Sequence, residues 1–115
     1  MNRNQMYREI ELQSLKRLES FIKESIPRYK TRLYQGRLYV ETIFNYLEVR
    51  CLEKAKGVAY LILDANFDDL DSEIAGFEKE DQLRKFFKDL YDEEVRLEDK
   101  YIKNIREITK WENRK

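Results

Sequence analysis

The stretch PRYKTRLYQGRLYVETIFNYLEVRCLEKAKGVAYLIL, residues 27–63, decides the fold. Its proline stands at the first position, and its two glycines are Gly36 and Gly57. The best apolar stripe through it is Leu33, Val40, Phe44, Leu47, Cys51, Ala55, Val58 and Ile62. Those steps are almost all of three, four or seven residues, which is the spacing of an amphipathic helix. A second set, Leu38, Tyr39, Tyr46, Val49, Leu52, Tyr60 and Leu61, covers another face. A helix apolar on two faces belongs at the centre of a bundle, packed on both sides. Gly36 and Gly57 each cost a helix roughly 1 kcal/mol against Ala, and suit a close helix contact or a kink. Val58–Leu63, six apolar residues in a row, also fits a short buried strand. Helix is preferred there, because the run continues the stripe and no second strand is evident to pair with it.

Outward from this stretch, two further helices are expected. Upstream, Tyr7, Ile10, Leu15, Leu18, Phe21, Ile22 and Ile26 recur three and four apart over about Asn4–Ser25. Pro27 closes that segment, since the residue before proline avoids helical geometry. It also suits the first position of a following helix. Downstream, Asp64–Ser72 holds turn and cap formers and reads as a loop, with Gly76 as a second break. From Glu78 to Glu112, Leu83, Phe87, Leu90, Leu97, Tyr101, Ile105 and Ile108 form a long stripe. Glu78, Glu80 and Asp81 at its start and Lys110, Arg114 and Lys115 at its end suit the helix dipole. At ~1.5 Å per residue this helix reaches roughly 50 Å, longer than a compact bundle of this size. The expected fold is therefore all-α, a three- or four-helix bundle with a long C-terminal helix, in a single domain over residues 1–115.

Composition narrows the function. The chain has 115 residues, 23 Lys and Arg, 23 Asp and Glu, no His and one Cys. Fourteen Phe and Tyr residues and one Trp supply enough apolar surface for a folded core. Without His, the commonest acid/base near neutral pH and a major metal ligand are missing. A lone cysteine, Cys51, permits no internal disulfide and no Cys–His nucleophile, and it sits in the stripe as a small hydrophobe. The lone Cys fits a reducing, cytoplasmic setting. Met1–Glu11 carries no signal-peptide hydrophobic run, and no stretch approaches the ~20 apolar residues of a membrane span. No phosphate-binding glycine loop or serine triad is present, and no enzyme, cofactor, metal or small-molecule substrate is expected.

Charge is unevenly laid out. Residues 1–63 carry 12 basic and 7 acidic residues, 64–99 carry 5 and 14, and 100–115 carry 6 and 2. Such a layout suits a dipolar molecule, or halves that attract each other or a partner. Between Glu24 and Glu41 there is no acidic residue, and Arg28, Lys30, Arg32, Tyr34 and Arg37 combine phosphate-neutralising cations with a stacking ring. They are the candidate nucleic-acid contacts, against the plainer reading of a solvated basic face. Asp64, Asn66 and Asp68 fill the first three ligand places of a calcium loop. Asp69 replaces the required glycine and Ala75 the final Glu, so capping explains the loop better. Glu94 falls in the last helix stripe and is expected at its hydrated edge; burial would demand partners. Tyr91, Tyr101 and Trp111 are the candidate partner anchors, Trp111 being equally suited to closing the bundle end.

Glu41, Asn45, Leu47, Arg50, Lys54 and Ala55 also sit where the central helix of GINS replication-factor subunits carries comparable residues. The stretch resembles that helix over about fifteen residues. The resemblance implies a non-catalytic scaffold that assembles with other helical subunits in replication. The expected function is thus an interaction or scaffold protein, with self-association, as in a symmetric dimer, expected from the long third helix and the excess of aromatic residues. The alternative is a small nucleic-acid-binding regulator using residues 28–37.

Overall fold

The computed structural model describes residues 3–54, 57–66 and 73–112, with side chains for 8–52, 59–66 and 73–107. The chain begins with helix α1 (Arg3–Ser25) and ends with helix α2 (Glu80–Glu112). Between them run strands β1 (Lys30–Tyr34), β2 (Arg37–Glu41), β3 (Tyr46–Lys54), β4 (Gly57–Asp64) and β5 (Glu73–Phe77). The strands form one antiparallel sheet in the order β1-β2-β3-β4-β5, a meander in which every neighbour in sequence is a neighbour in space. The fold is therefore mixed α/β, and the all-α bundle is overturned. The two outer helices lie where periodicity placed them. The central helix does not exist.

The reason lies in how a meander folds a period of two into longer steps. Along each strand the residues facing the helices alternate: Leu38 and Val40 on β2, Leu47, Val49 and Cys51 on β3, Tyr60 and Ile62 on β4. Val40 and Leu47, seven apart in the supposed stripe, are cross-strand partners. Val49 partners Ile62, and Cys51 partners Tyr60. Hairpin register, rather than helical turns, brings them to one face. The opposite face should read polar, but it carries Tyr39, Tyr46, Leu52, Leu61 and Leu63. Those residues filled the alternation and disguised it.

Gln35 and Gly36 make the β1–β2 turn. Both have positive φ, 51° and 72°, the two-residue type I′ geometry that matches strand twist. A glycine that looked like a helix defect is thus a turn requirement. Gly76, expected to break the chain, lies within β5 opposite Leu61. Val58–Leu63 belongs to β4, and both β3 and β5 pair with it. The segment resembling a GINS helix runs through a loop and β3, so the helix it implies is not formed.

Both helices cover the same face of the sheet. Leu15, Leu18 and Ile22 of α1, Ile26 and Tyr29 of its exit, and Leu83 and Phe87 of α2 close over Leu38, Val40, Leu47, Val49, Tyr60 and Ile62. This two-layer arrangement gives one core. α1 stops at Ser25, before Pro27, as the proline demands. The Gln82 side chain accepts from the Glu78 and Lys79 amides, both at 3.1 Å, and so caps the start of α2. No helix among the described residues is long and apolar enough to cross a membrane.

Candidate functional site

Three features stand apart from the core. The first is Glu94, which is 2 % exposed and not at a hydrated edge. The β2–β3 loop, residues 42–45, wraps its carboxylate. Phe44 donates its amide at 2.8 Å and Ile43 at 3.3 Å. Thr42 Oγ1 donates at 2.7 Å and Asn45 Nδ2 at 3.2 Å. The Tyr29 hydroxyl donates from the opposite side. Burial, followed by this bond to Glu94, pushes the Tyr29 hydroxyl well above the usual tyrosine range. Five donors, two of them backbone, surround the roughly four lone-pair positions a carboxylate offers, and the Thr42 hydroxyl is shared with the Asn45 carbonyl at 3.1 Å. With its lone pairs so engaged, Glu94 locks α2 to the loop and aims the rest of the helix.

The second feature is that remaining helix. Leu97 and Glu98 are half-buried, and residues 99–107 are all exposed. Arg28 grips Glu98 with two parallel bonds of 3.0 and 2.8 Å and ties α2 to the body there. Beyond it Tyr101 is 63 % exposed, Ile105 59 % and Ile102 42 %. The Tyr101 ring lies 6.3 Å from that of Phe44. The molecule measures 72 × 30 × 22 Å, and a helix of 33 residues, at ~1.5 Å per residue, is about 50 Å long.

The third feature is the sheet face that the helices leave uncovered. Lys30, Arg32 and Tyr34 point outward on β1, Arg37 and Tyr39 on β2, and Tyr46 and Arg50 on β3. The Arg32 guanidinium stacks 4.9 Å from the Tyr34 ring centroid. Tyr39 and Tyr46 stack at 5.9 Å with an interplanar angle of 18°. Arg37 and Arg50 converge on buried Glu48 at 3.2 and 2.8 Å.

Of the candidate nucleic-acid residues, Lys30, Arg32, Tyr34 and Arg37 are gathered on one face, whereas Arg28 is turned to α2. Tyr46 and Arg50 join that face from outside the basic run. Only strand register could have placed them there, and the helical reading concealed it. Of the candidate partner anchors, Tyr91 is half-buried and packs edge-on against Tyr29 at 5.7 Å. Tyr101 is displayed to solvent. The Trp111 side chain lies outside the described residues, as do Asp68, Asp69 and Asp71 of the acidic loop. Asp64 instead accepts from the Asn66 amide at 2.9 Å, a local turn. Cys51 is half-buried, and burial pushes its thiol up to about 12. A shallow cleft of about 550 Å³ runs between Arg8 and Leu12 of α1 and Gln35, Arg37, Cys51 and Leu52. No group of three or more His, Cys, Asp or Glu side chains suited to a metal ion occurs among the described residues.

The chain matches no known family, no curated protein and no solved structure.

Proposed function

We propose that this protein is a non-catalytic interaction protein, a small α/β body that holds out the end of α2 as its contact surface. The observation that carries this reading is the exposed run 99–107 with Tyr101, Ile102 and Ile105 displayed along it. Large apolar side chains grouped on an exposed surface mark sites of association. The Glu94 lock and the Arg28–Glu98 pair fix the direction in which the helix leaves, so the surface is presented rather than left to swing. The chemistry of the chain agrees with this. It contains no His, and a thiol raised to about 12 is protonated near neutral pH and a poor nucleophile.

The test compares two baits in extracts of the native cell, the wild-type chain and Ile105→Glu. The reading expects proteins retained by the wild type and lost from the variant. Identical capture by both would refute it.

A second reading is favoured by the outer sheet face. Lys30, Arg32, Arg37 and Arg50 lie among Tyr34, Tyr39 and Tyr46, a combination suited to the backbone and unpaired bases of single-stranded nucleic acid. It expects oligonucleotide affinity that falls steeply with salt and drops at least tenfold in an Arg32→Glu, Arg37→Glu double variant. Affinity indifferent to both would remove it.

A further inference from the structure

Strand register lays the side chains of the outer sheet face in rows. Lys30, Glu41 and Tyr46 form the first, and Arg32, Tyr39 and Glu48 the second. Tyr34 and Arg37 are paired in the third, where Arg50 meets Arg37 on Glu48. Past the third row the chain turns through Gln35 and Gly36, and the cleft of about 550 Å³ opens between that turn and α1. Arg37 and Arg50 belong to the face and also line the cleft. The two surfaces are therefore continuous.

α1 adds Arg8, which is exposed and lines the same cleft. Three guanidiniums, from α1, β2 and β3, thus border it, and only the fold brings them together. The acids beside them are Glu11 in the lining and Glu48 behind Arg37 and Arg50. Three positive charges against two negative leave one positive charge, which matches the single negative charge of a phosphodiester. Glu48, its side chain 6 % exposed, holds Arg50 through Nε and Nη2 and Arg37 through Nη1. Guanidiniums fixed before a ligand arrives lose less side-chain freedom on binding it. Their planar forks suit phosphate oxygens. The Cys51 thiol, protonated near neutral pH, adds no charge to repel an anion.

We infer that this cleft takes a backbone phosphate of a single-stranded nucleic acid whose bases stack on the tyrosines of the outer face, with Arg8 as the contact that α1 supplies. The inference rests on the outer-face reading and carries that surface around the end of the sheet onto a helix. Continuity with Tyr34, Tyr39 and Tyr46 makes a polymer the occupant rather than a small free anion, because one ligand then covers both surfaces.

The experiment is fluorescence anisotropy of the full chain with a labelled oligodeoxythymidine over a salt series. Its length is about twelve nucleotides, within the roughly 4–16 that single-strand-binding folds span. Arg8→Ala is expected to weaken binding about threefold or more. It should also reduce the slope of log affinity against log salt by about 0.7, the share of one phosphate on a single strand. Arg8→Lys keeps the charge and should keep the slope. Lys16→Ala, which removes an exposed cation of α1 outside the cleft, should bind as the wild type does. Both positions are exposed, so all three variants should keep the wild-type circular dichroism spectrum. If Arg8→Ala binds with wild-type affinity and slope while Arg32→Glu loses affinity, the cleft falls and the outer-face reading stands. If Lys16→Ala loses as much as Arg8→Ala, the effect is one of general charge and the inference is overturned. No salt-dependent affinity in the wild-type chain removes both.

Discussion

At the scale of single residues, Glu94 and Glu80 hold the two layers together. Glu94 satisfies the buried hydroxyls of Tyr29 and Thr42 and three part-buried donors of the β2–β3 loop, and of these Thr42 Oγ1 also reaches the Asn45 carbonyl at 3.1 Å. Truncation to Ala would orphan several of them at once. An unsatisfied buried donor costs about 1–3 kcal/mol, so Glu94→Ala is expected to destabilise the fold by about 3 kcal/mol or more, read as a lower urea midpoint. Tyr29→Phe, which removes one donor and leaves the acceptor with four others, should cost much less. Glu80, the first residue of α2, accepts from Arg17 and, at 3.0 Å, from Ser14, which itself receives the Tyr60 hydroxyl at 3.1 Å. The Arg17 guanidinium holds the Glu80 carboxyl below its ordinary value of 4.5. The folded state therefore gains from this group above that value, and the gain is lost as pH falls through the lowered one. Urea melts are expected to show the wild type more stable than Glu80→Gln at pH 7, with the gap closing in acid below about 4.5. A gap that held constant into acid would show that ionisation of Glu80 is not its source.

At the scale of elements, α1 and α2 were legible because each buries one stripe and leaves a polar remainder. The sheet was not, for two physical reasons. Tyrosines and leucines on the outer face made both faces look apolar, so the alternation of β2, β3 and β4 vanished into a broad hydrophobic run. The turn signal was also weak: Asn-Gly is the strong mark of a two-residue hairpin, and here Gln35 precedes Gly36. Gln in the left-handed region pays roughly 1 kcal/mol. Gln35→Asn, which tolerates that region, is expected to raise stability by about 0.5 kcal/mol, seen as a small rise in the melting midpoint. The candidate site was partly legible. Tyr101 and the sign change along α2 could be read directly, whereas the burial of Glu94 required knowing that a loop, and not a second helix, lies opposite it.

At the scale of the whole molecule, the core and the contact surface are separate. The fully buried apolar residues of α2 are Leu83 and Phe87, Leu90 and Tyr91 pack against the same core, and Glu94 fixes the helix before it departs. Residues 99–107 are exposed, and Tyr101 lies against Phe44 of the body. A protein that keeps such a helix at the cost of solvating Ile102 and Ile105 gains from covering them.

The most direct measurement is association of a chain ended after Lys100, made beside the full-length protein. The projecting helix is expected to be dispensable for folding and required for contact. The shortened chain should melt cooperatively within a few degrees of the full-length protein, since the removed side chains of 101–107 are exposed. It should sediment as a monomer and retain none of the proteins that the full chain captures. A folded, shortened chain that still associates as the full chain does would place the contact surface on the body and contradict the account.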